Sequence, residues 1–506
     1  MGSDRRRVRH PAPAGRPDAA GLDRRVVVAG GGIAGLTAAT ALAERGVHVE
    51  LAEREPFLGG RAGGWLTTLP DGTRTGMSRG FHAFFRQYYN LRALLRRGDP
   101  GLARFTALPD YPLVDAHGRT DTFRGLPATP PWNALAFALR SPTFGLRDLA
   151  RLDAKAALPL LTVRVPGTYH ELDELDAATL LDRVRFPEAA RHLAFDVFSR
   201  SFFAPPERLS AGELAVMFHL YFLGSAEGLL FDVPAQPFHR LWDPLARHLE
   251  RTGARLSPCT PVRQVEPGGP RRFRVHLDGE HGRVADADAV VLALDVAGLR
   301  DVVAASPRLG GPAWRSGIAA LFTAPPFVVR RLWLDRPVAA ARPAFLATGG
   351  LPPLDNVSVL DRYDTDARAW ARRAGGSVVE LHAYAVTGGR EDTERALLAR
   401  LHAVYPETRD AAIVADRVEW RADCPLFPPG GFGRRPRIGT GVPGLVLAGD
   451  GIRVDLPVAL MERAATTGWV AANRLLAGWG VAGHDLTTVP TSGRFAPLRV
   501  LAGRAS

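Results

Sequence analysis

An α/β fold built on a parallel sheet is what this 506-residue sequence predicts, and three observations predict it. A β-branched run, Arg25–Ala29, passes into a glycine-rich turn and an Ala-rich helix. A second strand pattern, residues 47–52, ends on the acid Glu53. Far downstream a third buried-strand pattern, residues 445–448, runs into Gly449, Asp450 and Gly451 and then another helix. Elements so far apart join one sheet only if the lobe that carries the sheet is discontinuous, with a second, mixed α+β lobe inserted in it.

The first strand, RVVVA, has no polar residue after its first, as a parallel strand buried on both faces requires. Gly30, Gly32 and Gly35 follow at G-x-G-x-x-G spacing. The first glycine of such a turn makes the bend, the second lets the backbone approach a pyrophosphate, and the third lets helix pack on strand. The helix over residues 36–44 then offers free N–H groups and a positive dipole end to the phosphates. Glycine-rich turns are common in a Gly- and Ala-rich chain, so register is what singles this one out. Glu53 stands 18 residues past Gly35, where a carboxylate accepts from adenosine ribose hydroxyls and disfavours a 2′-phosphate. The alternative for Glu53 is a solvated charge at a strand end.

Gly59, Gly60 and Arg61 decide between NAD and FAD, because they match the G-G-[RK] element of the glutathione-reductase-like flavoproteins, which lies beside the FAD diphosphate. Arg61 is expected to donate to phosphate or ribityl oxygens. The segment at residues 254–265 resembles the one whose backbone contacts the adenine, here around Val262. In the same family the G-D pair, here Gly449 and Asp450, bonds the ribitol, and the helix after it, about residues 459–476, aims its N-terminus at the flavin pyrimidine and stabilises negative charge there. The fold class is therefore α/β, a discontinuous Rossmann-type FAD-binding domain with a mixed α+β substrate domain. The cofactor-facing set is expected to be Gly30, Gly32, Ile33, Ala34, Gly35, Glu53, Arg54, Gly59, Gly60, Arg61, Val262, Gly449, Asp450 and Met461.

The FAD lobe is expected to draw on residues 24–90, 236–300 and 430–480, and the substrate lobe on 91–235 and 301–429. Residues 91–235 read as mostly helical, broken near Pro127, Pro130 and Pro131; residues 327–334 and 378–384 read as strands roofing the substrate cavity. Residues 1–23, rich in Arg, Pro, Ala and Gly, read as a disordered basic arm without a secretory h-region, and 481–506 as a tail. No apolar run approaches the ~18 residues that span a bilayer. With only Cys259 and Cys424 and no His cluster at ligand spacing, a disulfide scaffold or metal site is not expected. The net charge is +12, yet Lys155 is the only lysine and the arginines are scattered, which argues against a nucleic-acid groove.

Residues 80–91 (GFHAFFRQYYNL) look like the G-x-H-x-F-F-x-x-Y-x-N element of plant-type carotene desaturases. Within those relatives the chain most resembles the bacterial carotenoid φ-ring synthases, also through residues 195–206, 217–228, 355–363, 378–384 and 450–468. The resemblance implies a FAD-dependent oxidoreductase that makes the β-ionone ring of a carotenoid aromatic, one methyl migrating because the ring carries a quaternary carbon. It implies a hydrophobic carotenoid substrate, peripheral docking on the inner face of the cell membrane, and quinone or O2 as electron acceptor. Such chemistry needs aromatic faces and a modest base rather than a nucleophile. Phe81 and Tyr88 are the candidates for the first role and His82 for the second, with core packing as the alternative for each. Residues 132–151, mixing Trp, Phe and Leu with Arg, read as two short interfacial pieces split at Pro142, or as ordinary surface helices. One departure stands out: desaturases carry M-E-G-A after the G-D pair, and here Arg463 replaces the glycine. The rival readings are a linear-carotene desaturase, a FAD amine oxidase, and a non-redox carotenoid isomerase or carrier.

Overall fold

The computed structural model describes residues 4–130, 132–191, 200–229, 231–280 and 282–494. Its organising feature is a five-stranded parallel sheet in the spatial order Arg255–Ser257, His48–Ala52, Arg25–Ala29, Ala289–Leu292, Leu445–Leu447. Val26–Ala29, Ala289–Leu292 and Leu445–Leu447 are apolar and buried on both faces, whereas the edge strand Arg255–Ser257 leaves Arg255 exposed. The helix Ile33–Ala43 packs on the sheet with every residue buried, which its Ala-rich sequence permits. The long helix Leu460–Gly478 crosses it so closely that a Cβ on Gly468 would stand 2.4 Å from the Ala34 carbonyl oxygen. Residues 262–287 form a separate three-stranded antiparallel sheet beside this layer.

A seven-stranded sheet forms the second layer, in the order Ile413–Arg421, Phe327–Leu334, Ser377–Ala383, Asn356–Val359, Phe345–Thr348, Leu113–Val114, Thr120–Asp121. Phe327–Leu334 is buried throughout, its neighbours on each side antiparallel to it. Alternate residues of Ser377–Ala383 share a face, which sets Glu380 and His382 on one side together. The helical region comprises Trp132–Arg140, Leu146–Arg151, Ala154–Leu161, Gly167–Glu171, Ala177–Val184 and Ala211–Phe218. The break at residues 142–145 separates the first two of these, as Pro142 requires. Residues 192–199, which carry part of the 195–206 resemblance, lie outside the described residues. Among the described residues, no helix is long and apolar enough to cross a membrane.

The basic arm departs from expectation. Val8–His10 is a strand paired antiparallel with Leu486–Thr488, and the buried Asp4 carboxylate accepts from Tyr89 Oη (2.7 Å), Ser225 Oγ (3.2 Å) and the Ala226 N–H (3.1 Å). Its polar composition predicts disorder, but an open strand edge 476 residues away satisfies its backbone, a partner no local pattern displays.

Candidate active site

The glycine-rich turn is built as its spacing requires. Gly30 has φ +103°, and a Cβ there would lie 2.4 Å from the Ala293 carbonyl oxygen; one on Gly35 would lie 1.8 Å from the Gly30 oxygen. Gly32 differs, because the nearest atom to a Cβ there is Gly60 Cα at 3.9 Å. The turn is therefore crowded at its first and third glycines and open at its second, where a diphosphate needs room. The Gly59 N–H donates to the Gly31 carbonyl at 2.8 Å, which lays the G-G-R loop along the turn.

One cavity of about 540 Å³ runs from this turn into the second layer. Gly30, Gly32, Ile33, Ala34, Glu53, Arg54, Gly59, Gly60, Arg61, Val262, Gly449, Asp450 and Met461 all line it. Gly35 does not, since it packs helix on strand. Phe81, His82 and Tyr88 line the same cavity beyond them. Glu53 is buried, and its carboxylate accepts from the N–H groups of Gly31 (2.5 Å) and Glu55 (2.8 Å); burial nonetheless lifts its pKa above the ordinary glutamate value. Arg54 pairs with Asp295 at 2.9 Å. Arg61 reaches Asp450 at 2.5 Å, so the two motifs, 389 residues apart, touch directly. Gly449 is tied to the long helix, its N–H donating to Thr467 Oγ1 at 2.9 Å.

Beyond these residues the wall becomes aromatic. Phe81 stacks on Phe345 with ring centroids 4.3 Å apart, and Phe203 meets Phe327 and Tyr384 at 4.9 and 5.0 Å. Tyr88 shares a hydroxyl contact with Tyr221, and burial raises both phenols above the ordinary tyrosine value. His82 Nδ1 lies 2.8 Å from the Gly80 carbonyl oxygen, so Nδ1 carries the proton and Nε2 the lone pair. Burial pushes its pKa down to about 4, which keeps the ring neutral at physiological pH.

Sequence reasoning passed over Glu380, His382 and Tyr384. His382 Nε2 lies 2.9 Å from Glu380 Oε1, and His382 Nδ1 lies 2.8 Å from Tyr384 Oη. His382 and Tyr384 line the cavity. The i, i+2, i+4 spacing within the E-x-H-x-Y of residues 380–384 was the available signal, readable once the segment is known to be a strand. The structure also accounts for Arg463. Leu460, Met461 and Ala464 line the cavity, whereas Arg463 turns away and is buried against Glu213 (2.6 Å), Tyr169 Oη (3.2 Å) and the Val458 carbonyl (3.1 Å). Arg435 pairs with the same Glu213. The extra cation is thus held by a buried carboxylate.

The model of the "flavin containing amine oxidoreductase" family matches residues 33–476. A carotenoid phi-ring synthase of Streptomyces griseus is 58% identical, covering 100% of this chain and 98% of its own length. A carotenoid phi-ring synthase of Chlorobaculum tepidum is 27% identical, covering 94% of this chain and 91% of its own length. Among solved structures, putrescine oxidase bound to putrescine superposes with a TM-score of 0.65 at 16% identity, covering 90% of this chain and 99% of that one.

Proposed function

Because the chain belongs to the flavin-containing amine oxidoreductases and, within them, to the carotenoid phi-ring synthases, we propose that it is a FAD-dependent oxidoreductase that converts the β-ionone ring of a carotenoid such as β-carotene to an aromatic φ end group. The observation that carries this reading is a single cavity with a dinucleotide cradle at one end and an aromatic wall at the other. The residues present fit FAD: Gly32 leaves room for the diphosphate, Glu53 is set to accept from the ribose, Arg61 to meet phosphate and Asp450 to meet the ribityl chain. When bound, FAD supplies the two-electron oxidation.

The chain's own residues supply the rest. Phe81 and Tyr88 present ring faces that stabilise positive charge developing on the substrate ring while a methyl migrates. His82, held neutral, faces the same space without adding a competing charge. Each oxidation also releases a proton, and aromatisation requires this twice per ring. The substrate is a membrane lipid, and the exposed Trp132, Leu135, Leu139 and Leu149, set among Arg140, Arg147 and Arg151, are a surface on which the protein docks peripherally, at the inner face of the cell membrane. Quinone or O2 is the class of electron acceptor that closes the cycle.

The test is the carotenoid profile of a β-carotene-producing host that expresses this chain. The expected product has aromatic end groups on an unchanged polyene. A product altered only in its acyclic unsaturation would replace this reading with a linear desaturase. Oxidation of amines with no effect on carotenoids would replace it with an amine oxidase. An isomerised but unoxidised carotenoid would replace it with a non-redox enzyme.

A further inference from the structure

We propose that the phenol of Tyr384, backed by His382 and Glu380, is the group that takes protons from the substrate ring, an inference that rests on the function proposed above. Four observations support it, beginning with geometry. Glu380 lies on the strand Ser377–Ala383, with His382 two residues on and Tyr384 just past its end, on one face and in hydrogen-bond contact in series at 2.9 and 2.8 Å. Tyr384 and His382 line the cavity that holds Phe81 and His82, so the series opens onto the substrate space.

The polarity of the series follows from its buried end. Glu380 Oε2 accepts from Arg331 Nε (2.8 Å) and Nη2 (2.6 Å), and Arg331 is itself fixed by the Gly76 carbonyl (2.7 Å) and Ser78 Oγ (2.9 Å). Although desolvation works to raise its pKa, Arg331 and His382 hold the Glu380 carboxyl down at about 2. Two groups meet His382 Nε2, the Phe81 N–H at 3.3 Å and Glu380 Oε1 at 2.9 Å; the nearer, ionised carboxylate only accepts and makes the stronger bond, so Nε2 carries the ring proton and donates it to Glu380. His382 Nδ1 is then the acceptor, and the Tyr384 hydroxyl donates to it. Asn356 Nδ2 donates to the Tyr384 oxygen at 3.1 Å, which leaves a lone pair of that oxygen for a C–H of the ring.

Burial holds the Tyr384 phenol above its ordinary pKa, so it does not stand as a free phenolate. It acts by passing its own proton to His382 Nδ1 as it takes one from the ring. The electron pair of the broken C–H bond stays in the ring as the new double bond, and the positive charge arrives on an imidazole already paired with a carboxylate. That proton returns to solvent before the second oxidation. His82 is the poorer acceptor, because its protonated form has a backbone carbonyl for a partner and its pKa lies at about 4. Tyr384 is thus a catalytic residue, while His382 and Glu380 are positioning residues.

Tyr384→Phe, loaded with FAD and assayed on β-carotene in micelles, is expected to form aromatic product about 100-fold more slowly at a KM little changed, the size typical of a lost general base. His382→Gln is expected to lower the rate in the same way. A second readout needs no substrate: nitrogen NMR of histidine-labelled protein, with His382→Gln for assignment, should show His382 with Nε2 protonated and Nδ1 bare. Turnover of Tyr384→Phe within about threefold of the wild type, where a lost general base should cost far more, overturns the proposal. So does a proton on Nδ1, and that measurement decides alone if Tyr384→Phe fails to bind flavin. A wild type that makes no aromatic product counts instead against the function proposed above.

Discussion

Gly30, Gly32 and Gly35, three of the four glycines within six residues, have different surroundings, which makes them separable by mutation. Gly35 faces the Gly30 carbonyl at 1.8 Å from where a Cβ would stand, whereas Gly32 has only Gly60 Cα, at 3.9 Å. Gly35→Ala is therefore expected to prevent accumulation of folded protein. Gly32→Ala is expected to leave the apparent Tm of the apoprotein within about 2 °C of the wild type while weakening FAD binding at least ~10-fold, because an added methyl enters only the space proposed for the diphosphate. Thermal scans and flavin titration of the two variants check this. Equal losses of stability in both would remove the assignment. At this scale the sequence was readable where function depends on neighbours in the chain, as in the turn, Glu53 and the G-G-R loop. It was not readable where the partner is distant: the pairing of Arg61 with Asp450, or of Glu380 with Arg331, has no local signature.

Among the elements, the long helix Leu460–Gly478 carries a titrating group in its first turn. Glu462 is buried, and its carboxyl accepts from the N–H groups of Asn90 (2.8 Å) and Leu91 (2.9 Å) at the start of the helix Tyr89–Gly98. Burial outweighs these bonds and pushes its pKa up to about 8, from 4.5 in the unfolded chain. The folded state therefore keeps a proton that the unfolded state releases, so this group's contribution is full below pH 4.5 and is lost as the pH rises through about 8. Glu462→Gln lacks this titration and gives up one backbone bond. The wild type's advantage in Tm over Glu462→Gln is expected to shrink by roughly a few °C between mildly acidic and alkaline buffer, as paired thermal scans would show. An advantage that grows toward alkaline pH would show the opposite sign. The helix itself and the strand Phe327–Leu334 were legible from apolar runs and their lengths. The strand Val8–His10 was not, since three residues carry no periodicity and its pairing edge lies near the other end of the chain.

For the whole molecule, the two-layer plan follows from apolar strands that must be covered on both faces, and its discontinuity was visible in the spacing of the flavin motifs. The surface proposed for membrane docking belongs to this scale too. Trp132 and Leu139, 62% and 61% exposed, lie on one short helix. Trp132→Ser with Leu139→Ser is expected to lower binding to vesicles containing anionic lipid about 10-fold or more in a sedimentation assay, with flavin content unchanged, given ~1.5–3 kcal/mol for each large apolar side chain removed. Unaltered sedimentation would place the docking surface elsewhere. The contact between Arg61 and Asp450 has a further consequence for how the protein is made. A nascent chain leaves the ribosome N-terminus first, at about 5–20 residues per second, so the 389 residues between the two take on the order of half a minute to appear. Until the last part of that interval the glycine turn lacks the long helix, and the central strand Ala289–Leu292, once made, lacks its outer neighbour Leu445–Leu447, so the unfinished lobe exposes apolar surface that the complete fold covers.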